Sequence, residues 1–333
     1  MSNGLSPETL TLPKEKTYLF LVLLVSLVCW LALLISIVGI LYALAFGVFL
    51  WFGHGLLIGH LRSEGVRVSE EQLPGLYHTF LEVASELGVR HVPELYILQS
   101  GGLLNAFATR FSGRDFVVLF SDMLEAHGED SPRIRFILGH ELGHIKRGHI
   151  VKQLFLLPGS LVPLLGAAYR RACEATCDRH GALACGNIDG GIEAMMALSG
   201  GKVAGLCMSP DSFARQHREH RGFFVSLHEL TSGYPTLSQR VAQLISLRDG
   251  SPMVRGGRHP LAYFFAIFTA GGRGGGANVL VTVAIVAMLA SLAVPAVAQA
   301  QKRAKEIQAQ QKALHSQTIP GVPTSPNGST GVR

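Results

Sequence analysis

From Tyr18 to Leu61 the chain carries no Asp, Glu, Lys or Arg, and its strongly polar side chains, His54 and His60, fall near the end of the run. Inside a bilayer such a segment can satisfy its backbone N–H and C=O groups only as helix. At about 20 residues per crossing, a run of 44 residues is too long for one span and suits two. A helical hairpin turning near Ser36 to Gly39 is therefore predicted. The run is far longer than the apolar core of a signal peptide, and no small-residue cleavage site with a polar mature start follows it. A second uncharged segment, Ala277 to Ala298, is followed at once by Lys302, Arg303 and Lys305 and is predicted to be another transmembrane helix. Leu154 to Tyr169 is apolar but interrupted by Pro158, Gly159 and Pro163, which predicts a broken hairpin against the membrane surface or the domain core. Leu261 to Ala270 is short and apolar, as in a re-entrant or interfacial segment.

These segments divide the chain. Residues 1–17 form an N-terminal cytoplasmic segment, 18–61 the hairpin, 66–247 a folded domain and 248–276 a linker with a short apolar stretch. The span 277–298 follows, and then a tail, 299–333, that is basic at first and from residue 315 rich in Pro, Gly, Ser and Thr, a composition that predicts disorder. Lys14, Lys16, Arg62 and Arg67 flank the hairpin and favour the cytoplasm for the domain, as at the inner membrane of a bacterium. The basic tail favours the same side, yet one further span carries it across. Either the tail is translocated, or 261–270 or 154–169 also crosses. The net charge of +6 is dispersed, with no stacking aromatics or recognition helix, so attraction to anionic lipid accounts for it and nucleic acid is not an expected partner. The five cysteines lack the paired spacing of a structural zinc site and are assigned as reduced packing residues.

Within 66–247 the pattern predicts a helix at about 70–87, strands at 94–98, 104–109 and 115–120, and then a series of helices. The fold class is α+β and mostly helical, with a small, mostly antiparallel sheet. Ser131-Pro132 supplies an N-cap and a first-turn proline for a helix that contains His140-Glu141-Leu142-Gly143-His144. Two imidazoles four residues apart project from one helical face and can meet one Zn2+ ion, and the intervening carboxylate of Glu141 is placed to take a proton from water. One familiar source of a third ligand is a glycine three residues and a histidine six residues after the second histidine; here those positions are Arg147 and Ile150. Gly148 and His149 are each one residue out of place, and His149 cannot share the helical face of His140 and His144. The other common solution is a glutamate from a second helix, and Glu174, in Arg171-Ala172-Cys173-Glu174-Ala175-Thr176-Cys177-Asp178, is the predicted ligand. Asp178, one turn further on, is suited to accept the outer N–H of a ligating histidine.

These blocks carry a resemblance. Leu104 to Thr109, the histidine helix, the Arg171/Glu174/Asp178 block and Tyr234-Pro235 through Arg240 match in order the HtpX-like membrane zinc metallopeptidases, the gluzincin family that also contains the CAAX prenyl proteases. The resemblance covers roughly residues 66 to 247 and implies a zincin-type domain, one zinc ion per chain and a protein or peptide substrate. It implies that Asn105, Ala106, Phe107 and Ala108 lie along the substrate cleft, where an edge strand holds an extended chain by main-chain hydrogen bonds. It also implies that Tyr234 and Arg240 lie near the oxyanion. The family usually has histidine where this chain has Tyr234, and a phenol can donate to an oxyanion as an imidazolium can. The expectation is a membrane metalloendopeptidase in which Glu141 is the general base. A non-catalytic membrane scaffold that keeps the fold is the rival, and the intact Glu141 argues against it.

Overall fold

The computed structural model describes residues 10–35, 37–99, 101, 105–253, 256–268 and 301–311. The chain divides into two compact units, Met1–Val279 and Leu280–Arg333. In the second unit residues 301–311 are helical. The span expected at 277–298, residues 254–255 and 269–276 of the linker and the expected disordered tail lie outside the described residues.

The first unit opens with α1 (Pro13–Ile35), α2 (Ile37–Glu64), β1 (Val66–Arg67), α3 (Pro74–Glu86), β2 (Glu94–Leu98), β3 (Ala106–Phe111) and β4 (Arg114–Phe120). It continues with α4 (Ser121–His127), α5 (Pro132–Lys146), α6 (His149–Lys152), α7 (Leu157–Ser160), α8 (Leu165–Ala184) and α9 (Ile188–Gly200). The remaining helices are α10 (Ala204–Cys207), α11 (Pro210–Glu219), α12 (Phe223–Thr231), α13 (Leu237–Arg248) and α14 (Pro260–Ala266).

Pro13–Ile35 and Gly39–Glu64 are long and apolar enough to cross a membrane. α1 ends at Ile35 and α2 begins at Ile37, and residue 36, in the expected turn, lies outside the described residues. Each helix also docks on the domain. Val22 of α1 packs with Leu156, Tyr169 and Cys173, the Ser26 hydroxyl accepts from Gly159 N at 2.9 Å, and Trp30 Nε1 donates to Phe155 O at 2.8 Å. On α2, Ile58 and Leu61 pack with Tyr96, Phe116 and Val118, and His54 Nε2 lies 2.8 Å from Thr109 Oγ1. The segment 154–169 is broken as expected, with the short α7 and a left-handed Leu164 (φ 63°) before α8.

The four strands lie in the order β1-β2-β4-β3. The sheet is mixed. β1–β2 and β3–β4 are antiparallel, but β2 and β4 run parallel, Glu94 opposite Phe116 through Leu98 opposite Phe120. A hairpin at Ser112-Gly113, both at positive φ (48° and 85°), folds β3 onto the outer side of β4 and leaves it as an edge strand. Leu76 and Phe80 of α3, Leu95 and Ile97 of β2, Val117 and Leu119 of β4, and Ile134, Leu138 and Leu142 of α5 share one core with residues of α9 and α13.

Ser131 caps α5 as expected, its hydroxyl accepting from Ile134 N at 3.2 Å. The buried helix then packs directly on α8 through residues without side-chain bulk. A Cβ on Gly139 would lie 2.5 Å from Ala184 Cβ, and one on Gly181 would lie 2.6 Å from Phe136 O. Overpacking of this kind costs about 1–3 kcal/mol. Gly139→Ala and Gly181→Ala are expected to lower Tm, read by circular dichroism, whereas Gly113→Asn in the hairpin, which tolerates positive φ, is expected to change it little.

Candidate metal centre

His140 and His144 project from the buried face of α5, and Glu174 and Asp178 from the facing side of α8. Both pairs are spaced four residues apart, so each presents one stacked pair to the helix interface. The ring atoms His140 Nε2 and His144 Nε2 are 3.3 Å apart, His140 Nε2 is 3.4 Å from Glu174 Oε2, and His144 Nε2 is 3.6 Å from Glu174 Oε1. Metal bonds of about 2.0–2.1 Å at tetrahedral angles separate ligand atoms by roughly 3.3–3.4 Å. The three donors therefore fit a single zinc ion.

The orientation of His140 is fixed from outside the site. Its Nδ1–H donates to Asp178 Oδ1 at 2.9 Å, which leaves the Nε2 lone pair facing His144 and Glu174. Asp178 is held in turn by Arg240, whose Nε donates to Asp178 Oδ2 at 2.9 Å while Nη2 donates to Oδ1. Asp178 and Arg240 are 3% and 8% exposed, so each charge is sustained by the other rather than by water.

Electrostatics point to the same occupant. Burial alone would raise the Glu174 carboxyl, but its hydrogen bond to His140 and the charge of the histidines bring it down to about 2. Burial would lower His140, yet Asp178 and Glu174 beside it hold the ring up at about 10. Burial pushes His144 down to about 3, and Glu141 up to about 7 against the pull of His140 and Arg240. The two carboxylates thus draw one positive charge to the point where the ring nitrogens meet. A divalent cation supplies that charge without a proton.

The cleft over this point has a volume of about 760 Å³. Asn105, Ala106, Phe107 and Ala108 line it, with Tyr234 and Arg240 also in its wall. Asn105 Oδ1 accepts from Ala106 N at 2.9 Å, its backbone carbonyl accepts from Phe120 N at 3.1 Å, and the backbone amide of Ala108 donates to Glu141. Tyr234 lies between α12 and α13 and is 45% exposed, its backbone fixed by Ser232, whose hydroxyl accepts from Tyr234 N at 3.1 Å. Arg240 has Asp178 as its partner, so its guanidinium braces the His140 side of the site.

Residues 71–164 match the family model described as peptidase family M48. They include the whole sheet except β1 and all of α5. This part of the chain is similar to peptidase family M48. Among curated proteins the chain is 30% identical over 173 residues to plastoglobule-localized metallopeptidase 48, chloroplastic, of Arabidopsis thaliana. That match takes in 46% of this chain and 49% of the relative, so the chain spans about half the length of the curated relative it matches. No solved structure matches it significantly.

Sequence reasoning missed His149. α5 does not continue through residue 149: it ends at Lys146 and Gly148 (φ 63°) turns the chain, bringing His149 Nδ1 to 3.1 Å from His144 Nδ1. The signal was Gly148 itself, a helix-ending residue directly before a histidine. It also missed Glu15 and Arg147, whose side chains meet beside His149. The five cysteines are free; Cys173, Cys177 and Cys185 are buried as expected of packing residues, whereas Cys29 and Cys207 are exposed, and burial pushes the Cys173 and Cys177 thiols up.

Asp178→Asn keeps an acceptor for His140 but removes the charge opposite Arg240. Zinc affinity is expected to fall by about 10- to 100-fold, with stability reduced by up to about 3–5 kcal/mol for the buried charge left unpaired. Chelator competition and thermal melting measure the two effects separately, and unchanged zinc affinity would reduce Asp178 to a structural ion pair.

Proposed function

We propose that the protein is a membrane-anchored zinc metalloendopeptidase that cleaves membrane or membrane-proximal proteins held in extended conformation. The observation that carries this reading is the convergence of His140 Nε2, His144 Nε2 and Glu174 at tetrahedral ligand spacing, with Glu141 beside them on α5. Zinc held by these three residues supplies Lewis-acid activation of water at neutral pH.

The chain's own residues perform the rest. An extended substrate lies along the free edge of β3, pairing its backbone with that of Asn105 to Ala108. Glu141 takes a proton from the attacking water and returns it to the leaving amine. Burial favours this exchange, because it raises the carboxyl towards the pH at which it can both accept and release a proton. The Tyr234 phenol donates to the carbonyl oxygen as negative charge develops there. Asp178 and Arg240 hold the His140 ring through both steps.

Membrane anchoring rests on α1 and α2, with the catalytic domain on the side of Lys14, Lys16, Arg62 and Arg67. The exposed apolar side chains Val151, Leu154, Phe155 and Leu161 continue the apolar surface of α1 towards the cleft, whose rim includes Leu157 and Leu161. Such a rim suits substrates that reach the site from the bilayer surface.

Glu141→Gln is expected to retain zinc and lose nearly all hydrolysis, whereas His140→Ala, His144→Ala and Glu174→Ala are expected to lose both. Metal analysis alongside cleavage of an unfolded membrane protein distinguishes them, and full zinc occupancy in Glu174→Ala would remove it from the ligand set. Comparing membrane proteomes of cells carrying the wild type and Glu141→Gln identifies the substrates. Tyr234→Phe is expected to lower kcat by about 10- to 1000-fold with little change in KM, and Tyr234→His to recover part of the rate. Steady-state kinetics on one cleaved peptide decide this, and a wild-type kcat in Tyr234→Phe would make the tyrosine a packing residue.

A further inference from the structure

We infer that Glu15, at the start of the first apolar helix, and His149 form a hydrogen-bonded relay that fixes the ring of His144, so that α1 is a structural part of the metal centre. The inference rests on His144 being a ligand through Nε2. His140 has a single carboxylate behind it, Asp178. Behind His144 stands another histidine, with Nδ1 3.1 Å from Nδ1.

Proton counting leaves one arrangement. If the Nε2 lone pair of His144 faces His140 and Glu174, the proton of a neutral ring is on Nδ1. Two nitrogens 3.1 Å apart can share only one proton, so His149 must present the lone pair of its own Nδ1. Its proton is then on Nε2, which lies 3.2 Å from Glu15 Oε1, an acceptor. The carboxylate at one end therefore selects the tautomer of His149, and His149 selects that of His144.

Glu15 is well placed to act as the fixed end. It is 1% exposed, and Oε1 also accepts from Arg147 Nε at 3.2 Å and Nη2 at 3.1 Å. The preceding backbone is tied to the ligand helix, Leu12 N donating to Thr176 Oγ1 at 3.3 Å. Further along α1, Gly159 is seated so tightly on the Val22 carbonyl that any Cβ would collide with it. A buried carboxylate beside a membrane segment is costly unless it has a role or a partner, and here it has both.

Glu15, His149 and Cys173 also offer donor atoms close enough for one ion of their own. Metal on His149 Nε2 would put the His149 proton on Nδ1, setting two N–H groups against each other at the His144 contact. The relay and a second metal site are thus mutually exclusive while His144 is a ligand.

The test uses the full chain in detergent, with zinc stoichiometry, zinc affinity by chelator competition, and thermal melting of the metal-free protein. Glu15→Gln and His149→Leu are each expected to weaken zinc by about 10- to 100-fold. The double variant is expected to be no weaker than His149→Leu alone, since Glu15 acts through His149. His149→Gln, whose amide offers both an acceptor and a donor, is expected to recover part of the affinity, which a loss of packing alone would not produce. If His149→Leu does not fold, Glu15→Gln and His149→Gln carry the comparison. Wild-type affinity in Glu15→Gln or His149→Leu, additive losses in the double variant, or two zinc ions per wild-type chain would overturn the relay. Absence of zinc from the wild type would overturn the ligand assignment beneath it.

Discussion

The contact between α5 and α8 governs the rest of the site, because the four groups that converge there come in equal numbers from the two helices. Gly139 and Gly143 face Ala184 and His180, and Gly181 faces the backbone and ring of Phe136. Side chains at these positions would force the helices apart by the thickness of a methyl group or more. A zinc ligand set tolerates only a few tenths of an ångström. The glycines are therefore as necessary to the geometry as the histidines, although they carry no chemistry. Their cost in helix propensity, about 1 kcal/mol each, is offset by the close packing that they permit on either side of the site.

Closeness of that kind buries charge, and the arrangement of partners follows from it. Glu174, Asp178 and Arg240 are each less than a tenth exposed, and an isolated charge there would be costly by several kcal/mol. Arg240 meets Asp178 through two donors, and Asp178 meets His140. Among the described residues Glu174 pairs with the two histidines and with no arginine or lysine. Its nearest positive charge is the proton that the cluster draws onto His140, and a metal ion at the same point satisfies Glu174, His140 and His144 together. The braces differ accordingly: the His140 ring is held by a charge pair within the domain, while the His144 ring is held through His149 by a carboxylate from the apolar N-terminal helix.

What could be read from the sequence follows the range of each interaction. The helix cap at Ser131, the strands at 94–98 and 115–120 and the paired residues of α5 and α8 are local patterns, and each lies within a few positions of where it was expected. The parallel pairing of β2 with β4 was not legible, because it depends on which side of β4 the β3 hairpin occupies, and alternation along a strand says nothing of its neighbours. Glu15 was hidden for a similar reason: it lies more than a hundred residues from Arg147 and His149 and in sequence is one charge among Lys14 and Lys16. Arg240 was legible as a site residue, but its partner was not. A guanidinium near a carboxyl-rich site can serve substrate or scaffold equally well until distances are known.

The two apolar helices make the site's relation to the bilayer geometric as well as compositional. Along α1, Glu15 precedes the uncharged run by only three residues, about 4.5 Å of helix. The metal centre thus stands close to the level at which α1 would enter lipid. Ser26, which binds Gly159 of α7, is eight residues past Tyr18, or about 12 Å further along the axis. If α1 crosses the bilayer, α7 and the loop at Phe155 lie beside it below the headgroups, with irregular backbone covered by protein on the α1 side, as membrane depth requires. Leu156, Leu157 and Leu161 of that segment line the cleft. The apolar end of the cleft and the polar end at Asn105 would then face different media, and a substrate emerging from the membrane could lie along β3 without first being drawn into water.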